Sequence, residues 1–512
     1  MKAPPVQPRR RDAALAGGVA AMFALGVSEL LTGLIPSVPS LIVSIGTGII
    51  DLAPPAVKDL AIETFGTADK PALLVGIVVL SALFGALLGL GGIRSMAIPS
   101  VGFLVFGALG AIAAIQDPQS QALPSIMVAA VAAGAGLAAF LAMIRRAGVG
   151  EMPVVEADLA RRAFLRGAGA FALLAGVTAV AGRLLVDRVR MASNRAEVVL
   201  PSAQTPLPAP APGSSLSVAG IAPVVTPNDA FYRIDTALSV PSVDLDTWSL
   251  KITGMVDRPY ELTYDDLLDL PMVERYVTLS CVSNQVGGDL VGNAKWLGVP
   301  LTDVLDRAGV QQGADQIVGR SLDGFTIGFP TEVAFDGREA LVAVGMNDEP
   351  LPFDHGFPAR LVVAGLYGYV SATKWLADIE LTTWDAFDAY WVPKGWAKEG
   401  PIKTQSRIDT PQANARLGAG TRPIAGVAWA PGRGISRVEV QVDEGGWQEG
   451  TLSEPLSKES WRQWSLNWEA GSGTHTVQVR ATDGNGDTQT TMPRPPRPDG
   501  ATGYHTISVV VE

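Results

Sequence analysis

Residues 278–288 read TLSCVSNQVGG, and Cys281 in this stretch is the single cysteine of 512 residues. The run leading to it, YVTLS, is apolar and β-branched in the manner of a strand. The run after it, with Ser283, Asn284, Gly287 and Gly288, is turn-forming. A thiol at a strand exit is reachable, and three readings compete for it. It is a small buried hydrophobe, a nucleophile that needs a histidine as its base, or a soft thiolate ligand for a metal. Of the three histidines, His355, His475 and His505, the first is the candidate base. One cysteine excludes an intrachain disulfide, a four-cysteine zinc site and an iron–sulfur cluster held by the chain's own cysteines.

Around this stretch the chain divides in two. Residues 1–190 carry 15 Lys and Arg against 11 Asp and Glu, and the remainder carries 24 against 39. The acidic part is long enough for two ordinary domains, and its charge argues against nucleic acid as a partner. The basic part is the apolar part. It holds five stretches suited to transmembrane helices, at 13–35, 71–92, 95–115, 122–144 and 167–186, since a hydrocarbon core of ~30 Å takes about 20 residues. SLIVSIGTGII, residues 40–50, is too short to cross and suits an interfacial or re-entrant piece. Lys2, Arg9, Arg10 and Arg11 precede the first span. Arg94 lies in the second loop, and Arg145, Arg146, Arg161, Arg162 and Arg166 in the fourth. The first loop beyond the membrane mixes Lys58 and Lys70 with Asp51, Asp59, Glu63 and Asp69. The positive-inside rule then puts the N-terminus in the cytoplasm and everything after the fifth helix on the extracytoplasmic face of the cell membrane. RRAFLR, residues 161–166, before a Gly/Ala-rich run resembles a twin-arginine export signal, here internal. Glu29 is the one carboxylate within the four stronger spans, near enough to a helix end to reach the interface.

Residues 191–227 form a proline-rich linker, with seven prolines between 197 and 227, expected to stand as a semi-rigid stalk. Over 228–400 the runs WSLKITG, YVTLSC, DQIVGRS, EALVAVG, RLVVAGL and KWLADIEL predict strands. LTYDDLLDL, with Thr263 and Asp266 as a capping pair, and LTDVLDRAG, ending at Gly309, predict short helices. That is an α+β domain. Over 401–512 the helices vanish and short strands with Gly/Asp turns predict a β-sandwich of immunoglobulin type, with tryptophans for a core. The fold class is therefore multi-domain: a five-helix membrane region, an α+β domain and a C-terminal β-sandwich.

TLSCVSN, then NAKWLGVPLTDVLDRAGV (293–310), then MNDEPLPFDHGFPARLVVAGLYGYVSATKWL (346–376) resemble the sulfite oxidase family of molybdopterin enzymes. The resemblance covers about 226–395 and continues into the sandwich, which looks like that family's dimerisation domain. The membrane helices lie outside the family pattern, though actinobacterial-type exported relatives look like this. It implies a molybdenum–molybdopterin cofactor with Cys281 as the metal's thiolate ligand. It further implies His355, Arg360, Ser371, Lys374, Asn228 and Tyr232 as cofactor contacts. Arg233, Trp296 and Tyr390 are implied for the substrate pocket. Relatives that oxidise sulfite carry an arginine five residues after the metal cysteine; here that position is Val286. One charge-assisted contact is worth roughly 1.5–3 kcal/mol, so a sulfoxide substrate competes with sulfite. A scaffold with an inactive molybdopterin domain is the non-enzymatic alternative. The membrane part holds no histidine, and Met22, Met127 and Met143 are poor ligands for both faces of a haem. Haem, iron–sulfur cluster and zinc are not expected, and electrons are expected to pass to a separate cytochrome or quinone-linked partner.

Overall fold

The computed structural model describes residues 10–54, 68–146, 154–192, 194–241 and 243–512, with 57, 60, 61, 64 and 65. Lys2, Arg9, Lys58, Asp59 and Glu63 lie outside the described residues. The chain forms two compact units, residues 1–193 with 237–242, and residues 194–236 with 243–512.

In the first unit five helices are long and apolar enough to cross a membrane: Arg10–Leu34, Asp69–Gly92, Ala97–Ile115, Ala122–Arg146 and, within the helix Val154–Ala192, Arg161–Val186. They meet through small residues. A Cβ at Gly17 would collide with the Gly85 carbonyl, and one at Gly89 with the Ala13 carbonyl. Backbones this close gain packing where no hydrophobic force separates helix from lipid. The apolar stretch after the first span is the short helix Leu41–Leu52. Its cap is Ser40, whose Oγ accepts from Val43 N and donates to Glu29 Oε1 at 2.7 Å. Glu29 thus fixes a turn.

The second unit begins with two sheets. Their strands are β1 (Ser249–Gly254), β2 (Tyr260–Thr263), β3 (Val273–Ser280), β4 (Val291–Pro300) and β5 (Gln316–Ser321). They continue as β6 (Thr326–Pro330), β7 (Ala340–Met346), β8 (Glu349–Pro350), β9 (Arg360–Val363) and β10 (Leu376–Thr382). One sheet runs β2-β1-β10-β5-β6; the other runs β3-β4-β7-β8, with β9 also paired to β7. All seven residues of β7, ALVAVGM, are buried. Val342 and Val344 enter the core shared with the first sheet, while Leu341 and Ala343 pack with Val277, Leu279 and Trp296 on the opposite face. A continuous apolar run is what a strand covered on both faces requires. The helix Tyr264–Leu268 starts at the expected capping box of Thr263 and Asp266, and Leu301–Ala308 stops at Gly309 with φ +72°.

Two further sheets follow. One joins β11 (Gln405–Thr410), β13 (Gly420–Trp429), β16 (Thr451–Leu452) and β17 (Arg462–Ala470). The other joins β12 (Arg416–Leu417), β14 (Ile435–Val442), β15 (Gln448–Glu449), β18 (Gly473–Asp483) and β19 (His505–Val511). Ile424 and Trp464 from the first share one core with Val438, Val479 and Val509 from the second. These sheets are bolted to β3. Thr278 N donates to the Glu459 carbonyl, and Trp461 N to Thr278 Oγ1.

The expected stalk requires correction, because residues 194–227 lie along the second unit. Gln204 N donates to the Met272 carbonyl, Leu207 N to Glu274 Oε2, Leu216 N to Gln463 Oε1 and Ala222 N to Asp409 Oδ2. Proline removes only its own donor, so the residues between prolines remain free to pair with the body. We expect the amides of Gln204, Leu207, Leu216 and Ala222 to exchange slowly with deuterium. Exchange as fast as in a free peptide would restore the stalk.

Candidate functional site

Cys281 occupies the first loop position after β3. Its N–H donates to the Leu290 carbonyl at 2.9 Å, and its carbonyl accepts from Asn284 N. Asn284 Oδ1 takes Leu290 N and completes the turn back into β4. Cys281 is 7% exposed and lines an open cleft. Burial pushes its pKa up, against which the N–H and hydroxyl of Ser283 hydrogen-bond to the sulfur. Those donors favour the thiolate, the form that binds a metal.

Three basic side chains share the cleft. His355, Arg360 and Lys374 all line it, and each is at most 9% exposed. The turn FDHG brings them together. Gly356 has φ +110°, and a Cβ there would press on Lys374 Cα at 3.0 Å and Arg360 Cβ at 3.1 Å. Arg360 Nη1 donates to the His355 carbonyl at 3.0 Å, and its guanidinium stands 5.0 Å over the Trp296 ring. Burial lowers the Arg360 pKa to about 10, so it stays charged. Lys374 Nζ donates to Asp235 Oδ2 at 2.7 Å and to the Asp354 carbonyl at 3.0 Å. Burial pulls Lys374 down to about 8, and Asp235 opposes the shift. His355 Nε2 faces the Asn228 carbonyl at 2.9 Å, so Nε2 carries the hydrogen. Burial lowers this imidazole to about 4 and leaves it neutral near pH 7. Tyr232 also lines the cleft, with its ring stacked on Phe231 and its acidity suppressed by burial.

Other expected residues stand elsewhere. Arg233 is 41% exposed outside the lining, pinned between Asp235 at 3.0 Å and Asp354 at 2.8 Å. Trp296 is fully buried, because its register on β4 turns it into the core, where Nε1 donates to the Val277 carbonyl. It backs Arg360 and does not line the cleft. Ser371 is also fully buried, with Oγ bonded to the Leu366 and Tyr367 carbonyls of its own turn. Tyr390 lies behind the lining residues Phe325 and Trp391, at ring distances of 5.5 and 5.1 Å. Asn228 supports His355 through its carbonyl while its side chain bonds to Glu349 and Asn347. Val286 faces away from the cleft, among Trp447, Arg480 and Tyr504. It lines a separate surface pocket and not the Cys281 cleft.

Sequence reasoning missed Asp235, Asp323, Phe325 and Trp391, which line the cleft. Asp323 sits in SLDGF, the tip of the β5–β6 hairpin, where a D-G turn was the available signal. Asp235 follows Arg233 in a segment with no periodicity to read.

The cleft fits the expected cofactor by its donors. A thiolate suits a soft or high-valent metal, and a guanidinium, an ammonium and an imidazole suit an anionic pterin phosphate. Asp235 keeps Lys374 protonated for that task. We expect Asp235→Asn to lower the Lys374 pKa further. Pterin retention after purification should then be lost at lower pH than in the wild type, the two proteins differing most between about pH 7 and pH 8. Equal retention by both proteins across that interval would contradict this.

The family described as oxidoreductase molybdopterin binding domain matches residues 237–391. Mitochondrial sulfite oxidase of Homo sapiens is 30% identical over 304 residues, covering 50% of this chain and 55% of that one. Sulfite oxidase of Arabidopsis thaliana is 29% identical over 307 residues, covering 50% and 77%. NADH nitrate reductase of Solanum lycopersicum is 29% identical over 314 residues, covering 49% and 34%. The chain spans about half the length of the first curated relatives it matches. The crystal structure of the sulfane dehydrogenase SoxCD from Paracoccus pantotrophus shares the fold. It has a TM-score of 0.50 and 23% identity, covering 59% of this chain and 85% of that one. Residues 237–391 thus match an oxidoreductase molybdopterin binding domain, and about half of the chain is similar to sulfite oxidases.

Proposed function

We propose that the protein is a membrane-anchored, extracytoplasmic molybdopterin oxidoreductase that moves an oxygen atom to or from a small substrate in a two-electron step. The observation that carries this reading is the convergence of Cys281, His355, Arg360 and Lys374 on one cleft. When bound, the cofactor supplies the redox and oxo-transfer chemistry. Cys281 would hold the metal, Arg360 and Lys374 would hold the pterin's anionic end, and His355 would contribute a neutral imidazole oriented by Asn228. Phe231, Phe325, Trp375 and Trp391 wall the cleft with aromatic rings.

The charges of the cleft favour a neutral substrate of sulfoxide type over sulfite. Lys374 is committed to Asp235, Arg360 is seated on Trp296, and Arg233 is neutralised outside the lining. Asp323 adds an acid among aromatic walls. A dianion would meet no uncommitted guanidinium or ammonium among the described lining residues. An apolar-flanked sulfoxide would meet rings. Turnover of methionine sulfoxide with reduced viologen, and of sulfite with an artificial acceptor, separates the two. We expect at least tenfold higher kcat/KM for the sulfoxide, and the reverse ranking would return the substrate to sulfite. A purified protein without molybdenum would favour the scaffold reading.

The rest of the proposal concerns placement. The positive-inside pattern and RRAFLR support an extracytoplasmic catalytic unit exported after folding. The electron partner is a separate cytochrome or quinone-linked protein, with no haem, iron–sulfur cluster or zinc in this chain. The two C-terminal sheets are an immunoglobulin-type sandwich through which a homodimer forms. Arg161→Lys with Arg162→Lys should strand residues 194–512 in the cytoplasm, protected from external protease. Continued external digestion would show that export does not need the arginine pair.

A further inference from the structure

Asp323 is the acid of the cleft that the cofactor contacts leave unused. Its turn is rigid. Ser321 N donates to the Phe325 carbonyl, Gly324 N to the Ser321 carbonyl, and Gly324 takes φ +84°. Leu322 N donates to the Trp375 carbonyl at 2.9 Å, which ties the hairpin tip to the neighbour of Lys374. The carboxyl accepts Phe325 N at 3.1 Å and has no ion-pair partner among the described residues. It is half-buried, so it lines the cleft and still exchanges protons with water.

The other titratable groups around it are already engaged. Asp235 is fixed as a carboxylate by Lys374 and Arg233. Lys374 is needed as a cation, and Arg360 keeps its charge. His355 has its Nε2 hydrogen engaged by the Asn228 carbonyl. Tyr369 donates its hydroxyl to the Ala397 carbonyl, and burial makes both Tyr232 and Tyr369 weaker acids. Asp354 pairs with Arg233 outside the lining, and Cys281 is reserved for the metal. Burial raises the Asp323 pKa, opposed by hydrogen bonds from the Ser321 side chain and Phe325 N–H and by the Lys374 charge, with the Asp235 charge adding to the rise.

We propose that Asp323 is the proton-transferring residue of the cleft, acting on the oxygen atom that is exchanged with the substrate. The proposal rests on the oxo-transfer reading above. In the reductive direction a sulfoxide takes two electrons, supplied by a one-electron donor such as reduced viologen. Its S–O bond breaks, and two protons convert the oxygen to water. Asp323 gives one of these protons and is recharged from solvent, which also supplies the second. In the oxidative direction the carboxylate accepts a proton from the incoming water.

The test uses the full-length protein in detergent as wild type, Asp323→Asn and Asp323→Glu. Asn keeps the volume and the acceptor for Phe325 N, so the fold should hold. The readouts are molybdenum content, the infrared carbonyl stretch of a protonated carboxylic acid across pH, and the pH profile of viologen-driven sulfoxide reduction. We expect equal molybdenum in all three proteins. A carboxylic acid band should titrate in step with the alkaline fall of kcat in the wild type and be missing from the Asn variant. That variant should lose about 100-fold in kcat, with KM little changed and the alkaline limb gone. The Glu variant should restore the limb. An Asn variant that holds molybdenum and keeps the wild-type profile would overturn the proposal. So would a band that titrates unchanged without Asp323, a readout that needs no turnover. Wild type lacking molybdenum would instead overturn the reading on which the proposal rests.

Discussion

A guanidinium and an ammonium buried in one wall of the cleft set the terms for the structure around them. Burying a charge costs several kcal/mol unless partners replace its water. Arg360 and Lys374 are each under a tenth exposed, and their partners account for otherwise unrelated features. Trp296 is turned inward to present its face to Arg360. The His355 and Asp354 carbonyls point back to receive N–H groups, a geometry that depends on the tight turn at Gly356. The segment through Asp235 crosses the cleft because Lys374 needs a carboxylate.

The Cys281 loop answers to a second constraint. Beyond Asn284 it leaves the cleft for the C-terminal sheets, where Arg407 Nη1 donates to the Gly288 carbonyl and Gly287 lies against His505. His505 is itself held by Ile408 N at its Nδ1. The sheets therefore brace the turn that aims the sulfur, as well as the strand that carries it, through Thr278 and Trp461. Bracing from both sides suits Cys281 to the metal-ligand role proposed for it, because a ligand held in place needs little reorganisation on loading.

What could be read from the sequence was local or periodic. The five long apolar helices followed from length and apolarity, the capping box of Thr263 and Asp266 from spacing, and the stop at Gly309 from a residue that tolerates φ +72°. Cys281, His355, Arg360 and Lys374 were legible because their motifs stand at strand ends, where a side chain has few directions to take. Trp296 and Ser371 were misplaced because a motif position does not fix which way a side chain faces: strand register sends one into the core, and the Leu366 and Tyr367 carbonyls retain the other. Arg233 was misplaced because two distant acids capture it. Asp323 and Asp235 come from a hairpin tip and an irregular segment, and only the assembled sheets bring them together. The proline-rich run was read as a stalk from composition, but its pairing with Met272, Glu274 and Gln463 is long-range.

The central claim is that the single cysteine holds a molybdenum centre in this cleft. X-ray absorption at the molybdenum edge, recorded on purified wild type and on Cys281→Ser, tests it most directly. The account predicts a protein-derived sulfur neighbour in the wild type that is missing from the variant, with the chain still folded. An unchanged sulfur shell in the variant, or wild type without molybdenum, would contradict it.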